Sequence, residues 1–309
     1  MRQRTVWLLS LGLTLGVLGP FVPAQVVAQS IAVLKSRDLE PFNQALAGFV
    51  ASCDGHIIEY DLQGTERRKR DILRRIAADK PRLVIAIGPL AAQVVKDEVG
   101  DVPVVFFMVP HPHKYSLKGE NIVGISLDIP LETQFATYKL LVPGLKTIGV
   151  IYDPEKTGEL ITESKRVAEK LGLKLLASAV NSQKGVPAAL RSMLGRIEAL
   201  WMVPDETVVT PEAFEFLLLA AFENQLPFLA ASDIFVEVGA FASLSPDYVD
   251  VGRQACQLVQ DIESGRMKLT KVDVIPPAKV NLAINLKTAS KIGLTLSSEI
   301  VQSASKVYR

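Results

Sequence analysis

From Ile31 onward, short runs of apolar and β-branched residues alternate with segments whose apolar positions recur every three or four residues. The run 31–34 predicts a first strand. The stripe Phe42, Leu46, Phe49 and Val50 predicts a helix to about Ala51, with Asp38 as its N-cap. Strands are then predicted over 56–60, 83–87, 102–109 and 122–126, with helices over 66–78 and from Pro89 through Val95. After a helix over 131–141 the alternation starts again. It predicts strands at 147–152, 174–180, 199–203, 227–231 and 240–244, and helices at 162–171, 186–196 and 211–224. A helix over 247–263, with Val251, Ala255, Leu258 and Ile262 on one face, a last strand near 280–284 and two short helices complete the pattern. Strands separated by helices of roughly 10–15 residues form βαβ units on parallel sheets, so the expected class is α/β, with two consecutive α/β lobes.

Residues 1–28 stand apart from this alternation. Arg2 and Arg4 precede an apolar stretch over 6–18, which breaks at Gly19-Pro20 and is followed by small residues at 22–24 and 26–28. That order describes a secretory signal peptide, and the stretch is shorter than the roughly 20 residues of a membrane-spanning helix. No Cys follows it to carry a lipid. The expectation is an exported, periplasmic protein that is soluble and not lipid-anchored.

Composition narrows the function. Nearly half of the residues (49%) are apolar, enough for a large core and too many for a disordered chain. With 34 basic and 33 acidic residues the net charge is +1, which leaves no footprint for nucleic acid or an anionic membrane. The basic cluster 67–70 reads as the solvated face of a helix. Two cysteines, Cys53 and Cys256, are far apart in the chain, and the sequence leaves their pairing open.

Open parallel sheets bind ligands beyond the carboxyl ends of their strands. That rule nominates Ser36 and Arg37, Gly88-Pro89-Leu90 and His111 in the first lobe. In the second it nominates Asp153, Asp205-Glu206-Thr207 and Ser232-Asp233. Helix N-termini follow most of these loops and favour an anionic group. Arg37 offers a planar fork to a carboxylate. Asp205 and Glu206 either hold an ammonium group or cap the helix at Pro211, and Ser232-Asp233 either caps a turn or touches ligand. His111 and His113 invite a metal, but His56 is the only other histidine and a site takes three or four protein ligands. No metal and no cofactor are expected. No Gly-x-Ser-x-Gly elbow, phosphate-binding loop, dinucleotide fingerprint or His-Glu-x-x-His motif is present, so binding is expected rather than catalysis.

The segments 85–93, 104–107 and 121–126, then Gly149-Val-Ile-Tyr-Asp-Pro154, Val203-Pro-Asp-Glu-Thr207, Ala231-Ser-Asp233, 247–254 and 285–293 follow one another in a familiar order. Over nearly the whole chain after the leader they resemble ABC transporter substrate-binding proteins of the tryptophan/tyrosine-type group. The resemblance implies a periplasmic binding protein type I-like fold, two Rossmann-like lobes with parallel sheets joined by a hinge, that closes on a small-molecule ligand, an amino acid or similar polar metabolite. It also implies an ABC permease in the membrane as partner, no nucleic acid, and a monomer. Crossovers are implied near 127–129 and 245–247, which adds Asp128 and Asp247 to the candidate site. The lobes become 29–127 plus 246–309, and 128–245. Cys53 and Cys256 then share a lobe, compatible with a disulfide without requiring one. The chain departs from the family at Gly88, where members often carry a hydroxyl residue, and at His111-Pro112, where they often have Asp-Pro. It also has Asp205-Glu206-Thr207-Val208 for the usual Thr-Asp-Asn-Thr. The expected ligand set is the backbone after Gly88 with Arg37 for a carboxylate, and Asp205, Glu206 or Asp233 for an amine, helped by Thr207 and Ser232. The same hinge would serve a periplasmic sensor that presents its closed form to a receptor, without transport, and the sequence leaves that alternative open.

Overall fold

The structure is a computed structural model that describes residues 30–96, 98–269 and 274–309. The leader expected over 1–28 lies outside the described residues. The first unit runs β1 (Ile31–Lys35), α1 (Glu40–Val50), β2 (Ile57–Asp61), α2 (Lys69–Asp79), β3 (Leu83–Ile87), α3 (Pro89–Lys96), β4 (Val104–Val109) and β5 (Ile122–Ser126). The chain crosses over at 127–130 into α4 (Leu131–Leu141), β6 (Thr147–Tyr152), α5 (Pro154–Lys170), β7 (Lys174–Ala179), α6 (Val186–Met193) and β8 (Ala199–Trp201). It continues with α7 (Pro211–Glu223), β9 (Phe228–Ala230), α8 (Asp233–Glu237) and β10 (Ala242–Pro246). Then come α9 (Tyr248–Glu263), β11 (Val274–Ile275), β12 (Val280–Asn285), α10 (Leu286–Lys291), α11 (Ser298–Ser303) and β13 (Lys306–Tyr308).

Two sheets result. One has the order β11-β5-β4-β3-β1-β2, parallel throughout; the other has the order β13-β12-β10-β9-β8-β6-β7. The inner strands β3, β4 and β5 are buried at every position, because helices cover both faces of a parallel sheet and leave no polar side. In the second sheet β12 pairs antiparallel with β10, and β13 adds parallel to β12. This corrects the expected division. Residues 280–309 were placed in the first lobe, but their strands complete the second sheet, and Ala283, Ile284 and Ala289 are buried in its cores. Only α9 and β11 return to the first sheet, which makes a third crossover at 276–279. It is held to the second by the Asp247 N–H donating to the Lys279 carbonyl at 3.0 Å.

The return of α9 is fixed by close packing on α1. A Cβ at Gly48 or Gly252 would collide with backbone of the facing helix, at Val249 and Ala45 respectively, so glycine lets the two helices touch along their backbones. Cys53 and Cys256 close this helix pair in a disulfide with Cα atoms 5.4 Å apart. Among the described residues no helix is long and apolar enough to cross a membrane.

Candidate ligand-binding site

Both sheets present the carboxyl ends of their strands to the region of the crossovers, where two adjoining cavities share His111, Asp128 and Leu160. The inner one, about 140 Å³, is walled by Leu127, Asp128 and Ile129 of the first crossover, and by Gln134 and Tyr138 one turn apart on α4. Trp201, Met202 and Pro204 after β8, Ala230 and Ala231 at β9, and Leu244 and Pro246 of β10 close it. Phe135 braces the Trp201 ring edge-on at 5.3 Å. Burial pushes the Tyr138 hydroxyl far above its ordinary titration range, so it stays protonated, and it donates to Gln134 Oε1 at 3.3 Å. The outer cavity, about 540 Å³, lies between His111, His113 and Lys114 on the first unit and the start of α5 on the second, where Glu155, Lys156, Glu159 and Glu163 line it.

Asp128 stands at the junction. Its carboxylate accepts the His111 backbone N–H at 3.0 and 3.2 Å and the His111 ring Nδ1 at 3.0 Å, while its own N–H donates to Ser126 Oγ at 2.7 Å. Burial would raise its pKa, but the His111 hydrogen bonds and charge outweigh burial and hold the carboxyl below the usual carboxylate range. The side chain remains 36% exposed, so acceptor capacity is left facing the cavities.

The other nominees fare differently. Asp205 was expected to take an amine, yet it is 1% exposed and its acceptor sites are filled from within the second unit. Oδ2 accepts from the Asp153 N–H at 2.8 Å and Thr157 Oγ1 at 2.6 Å, and Oδ1 from the Thr207 N–H at 3.0 Å. Thr207 Oγ1 in turn donates to Asp153 at 2.7 Å, and Asp153 caps α5 through the Glu155 N–H at 3.0 Å. These groups knit two loops together and hold the non-helical turn at Thr157 inside α5. That helix begins at Pro154 rather than at 162, because Asp153-Pro154 supplies the cap and a preset first turn.

Ser36 is likewise consumed at home: it donates to the Ile87 carbonyl and accepts from the Ala91 N–H, both at 2.9 Å. This seats the start of α3 on β1, with Gly88 at φ +89 because a Cβ would lie 2.7 Å from Ser36 Oγ. Arg37 is exposed, and it lines neither cavity; nor do Gly88, Pro89 and Leu90. Glu206 points to solvent 3.9 Å from Lys156, and Asp233 is paired with Lys306 of β13. Ser232 sits at the N-cap of α8 without a side-chain bond, and Asp247 caps α9 through the Asp250 N–H at 3.0 Å. Asp38 accepts from Asn43 Nδ2 at 2.7 Å, while the N-cap of α1 is Leu39; the Pro211 helix is capped by Thr210. His111 and His113 lie with ring centroids 6.0 Å apart, and among the described residues no group of three or more metal-ligating side chains forms. The reading from sequence missed Tyr138, Leu160 and Trp201. The strand-end rule reaches Trp201 directly, but apolar walls carry no mark that separates them from core.

Residues 51–308 match the family model described as ABC transporter substrate binding protein. The chain belongs to this family. It is a family of substrate-binding proteins rather than of enzymes, and its members work outside the cytoplasm, in the periplasm or extracellularly. Among related proteins is a tyrosine-binding protein of Clostridioides difficile, 25% identical over 255 aligned residues, with 77% of this chain and 73% of the relative covered. Among solved structures, the ligand-free, open form of a Clostridium difficile substrate-binding protein with adhesive properties matches with a TM-score of 0.77 at 22% identity. It covers 91% of this chain and 99% of that one. A Streptococcus pneumoniae domain in complex with L-Trp matches with a TM-score of 0.59 at 24% identity, with the same coverage. This substrate-binding protein thus has the two-lobed, type I-like α/β architecture of its structural neighbours.

Proposed function

We propose that this substrate-binding protein captures an amino acid with an apolar, aromatic side chain between its lobes and hands it to an ABC permease. The observation that carries the reading is the position of Asp128, a charged and partly exposed acceptor at the mouth of a cavity walled by Trp201, Leu160 and Leu244. An ammonium group at Asp128 would place an attached aromatic group against that wall, where burial of apolar surface adds roughly 25 cal/mol per Å². The tyrosine-binding relative and the L-Trp complex agree with this chemistry. A ligand touching both lobes favours the closed arrangement by its differential affinity, with movement at the crossovers. The chain would be exported by its 1–28 leader and act as a monomer in the periplasm. Asp128 replaces Asp205, Glu206 and Asp233 as the amine acceptor. Calorimetric titration with L-tyrosine and L-tryptophan, beside L-glutamate and L-lysine, tests the proposal. Micromolar or tighter binding of an aromatic amino acid is expected, and absence of binding by both aromatic ligands rejects it.

A further inference from the structure

We propose that His111 is a positioning residue that makes the acceptor strength of Asp128, and so the capture of an ammonium-bearing ligand, depend on pH. The inference rests on the reading that Asp128 takes the ligand's amine. Its basis is a local geometry that the fold forces. His111 has φ 47° and Met108 φ 60°, both in the left-handed region that non-glycine residues rarely adopt, and the pairing of β4 with β5 slips between Phe106 and Val109. Strain of this kind persists where surrounding structure over-determines it. Here the outcome is that one residue aims both its backbone N–H and its ring Nδ1 at the same carboxylate, 17 positions further along the chain.

With Nδ1 donating to Asp128, a neutral His111 ring carries its proton there and leaves Nε2 as an acceptor; the charged ring carries protons on both nitrogens. Asp128 stays ionised through the range in which histidine titrates, because its pKa is held below that of an ordinary carboxyl. Of the two side-chain types in the pair, only an imidazole ordinarily changes charge near neutral pH. A neutral ring leaves the carboxylate's full charge to an incoming ammonium, whereas a protonated ring offsets it. Amine affinity accordingly rises as pH rises through the His111 titration. The other charged groups facing this cavity are His113 and Lys114 on the same turn, and Glu155, Lys156, Glu159 and Glu163 of α5. Of these only His113 ordinarily titrates in the same window, which makes it the necessary control.

The test is calorimetric titration of the full chain with L-tryptophan and L-tyrosine from pH 5.5 to 8. The wild type is expected to gain about five- to tenfold in affinity across that range. His111→Gln should flatten the profile and His113→Gln should preserve it. A profile unchanged in His111→Gln, or lost in His113→Gln, overturns the inference while leaving amino acid capture standing. If neither amino acid binds at any pH, the functional reading fails instead. The clamp is then decided in the ligand-free protein by following the His111 ring in an NMR pH titration. Asp128→Asn should move its midpoint if the carboxylate holds the ring, and an unmoved midpoint overturns the proposal.

Discussion

Asp128 and Asp205 are both aspartates a few residues beyond a strand end at the cleft, and each carboxylate is held by hydrogen bonds from the protein. Their surroundings nevertheless differ, and on the proposed function they do opposite jobs. The donors to Asp205 come from three residues, Asp153, Thr157 and Thr207, which surround it and leave 1% of it exposed. The Asp128 carboxylate is held chiefly by the backbone and ring of His111, with Ser126 adding to it, and 36% of the side chain stays open to the cavities. The same residue type is a structural knot when its donors enclose it, and keeps acceptor capacity for a ligand when they hold it from behind. Residue identity and loop position do not separate the two; the direction of the donors does.

The largest effect should come from breaking the knot. Asp205→Ala strips the acceptor from three buried or half-buried donors, and unpaired buried polar groups each cost about 1–3 kcal/mol. With partial relief by water, a loss of about 3 kcal/mol in chemical denaturation is expected. Any loss of ligand affinity in this variant would follow from unfolding. A stable Asp205→Ala protein that has lost ligand binding would restore Asp205 as a contact and erase the distinction.

Asp128→Asn makes the converse measurement. The amide can still accept the His111 N–H, so denaturation should change by less than about 1 kcal/mol. Affinity for an aromatic amino acid should fall about 10- to 100-fold, the loss of a charge-assisted hydrogen bond to an ammonium. Equal losses of stability and affinity would show that Asp128 is a second knot.

What the sequence could and could not disclose follows the same line. The alternation of apolar runs revealed the parallel sheets, since buried strands such as Leu83–Ile87 have no polar face to confuse the period. The crossovers implied by the resemblance put 280–309 in the first lobe, whereas sheet membership is decided by β12 pairing with β10, a contact between distant segments of one apolar composition. The rule about strand ends nominated His111, and the implied crossover nominated Asp128. Neither could reveal that they join, because that depends on a left-handed turn at His111, a residue with no intrinsic bias strong enough to announce it. Nor could Ser36 and Asp205 be excluded, since their partners lie about 50 residues away.

Acid sharpens the comparison further. The Thr207 hydroxyl and the Glu155 N–H hold the Asp153 carboxyl below its usual range. A depressed folded pKa contributes stability that is present above the unfolded value near 3.9 and is lost as pH falls through the folded one. The second lobe should therefore weaken below about pH 4, and Asp153→Asn should make thermal unfolding less sensitive to acid in that window. An identical acid slope in the variant would remove Asp153 from the knot. This loss lies well below the pH 5–8 interval in which His111 is expected to act on ligand, so two carboxylate networks in one protein should respond to separate pH ranges.

The smallest expected effect concerns Arg37, the most natural partner for a ligand carboxylate when only the sequence is considered. The residue is exposed at the end of β1, and it lines neither cavity that Asp128 borders. The basic groups that do border the outer cavity are His111, His113 and Lys114 from one unit and Lys156 from the other. A charge reaching the ligand only through solvent is screened within about 10 Å at 0.1 M salt, so Arg37→Ala should change affinity by less than about twofold. Lys114→Ala and Lys156→Ala, measured beside it, should each cost more. If Arg37→Ala instead abolishes binding, closure must carry β1 much nearer the ligand than the present arrangement does, and the first lobe would contribute a cation as well as the Asp128 anion.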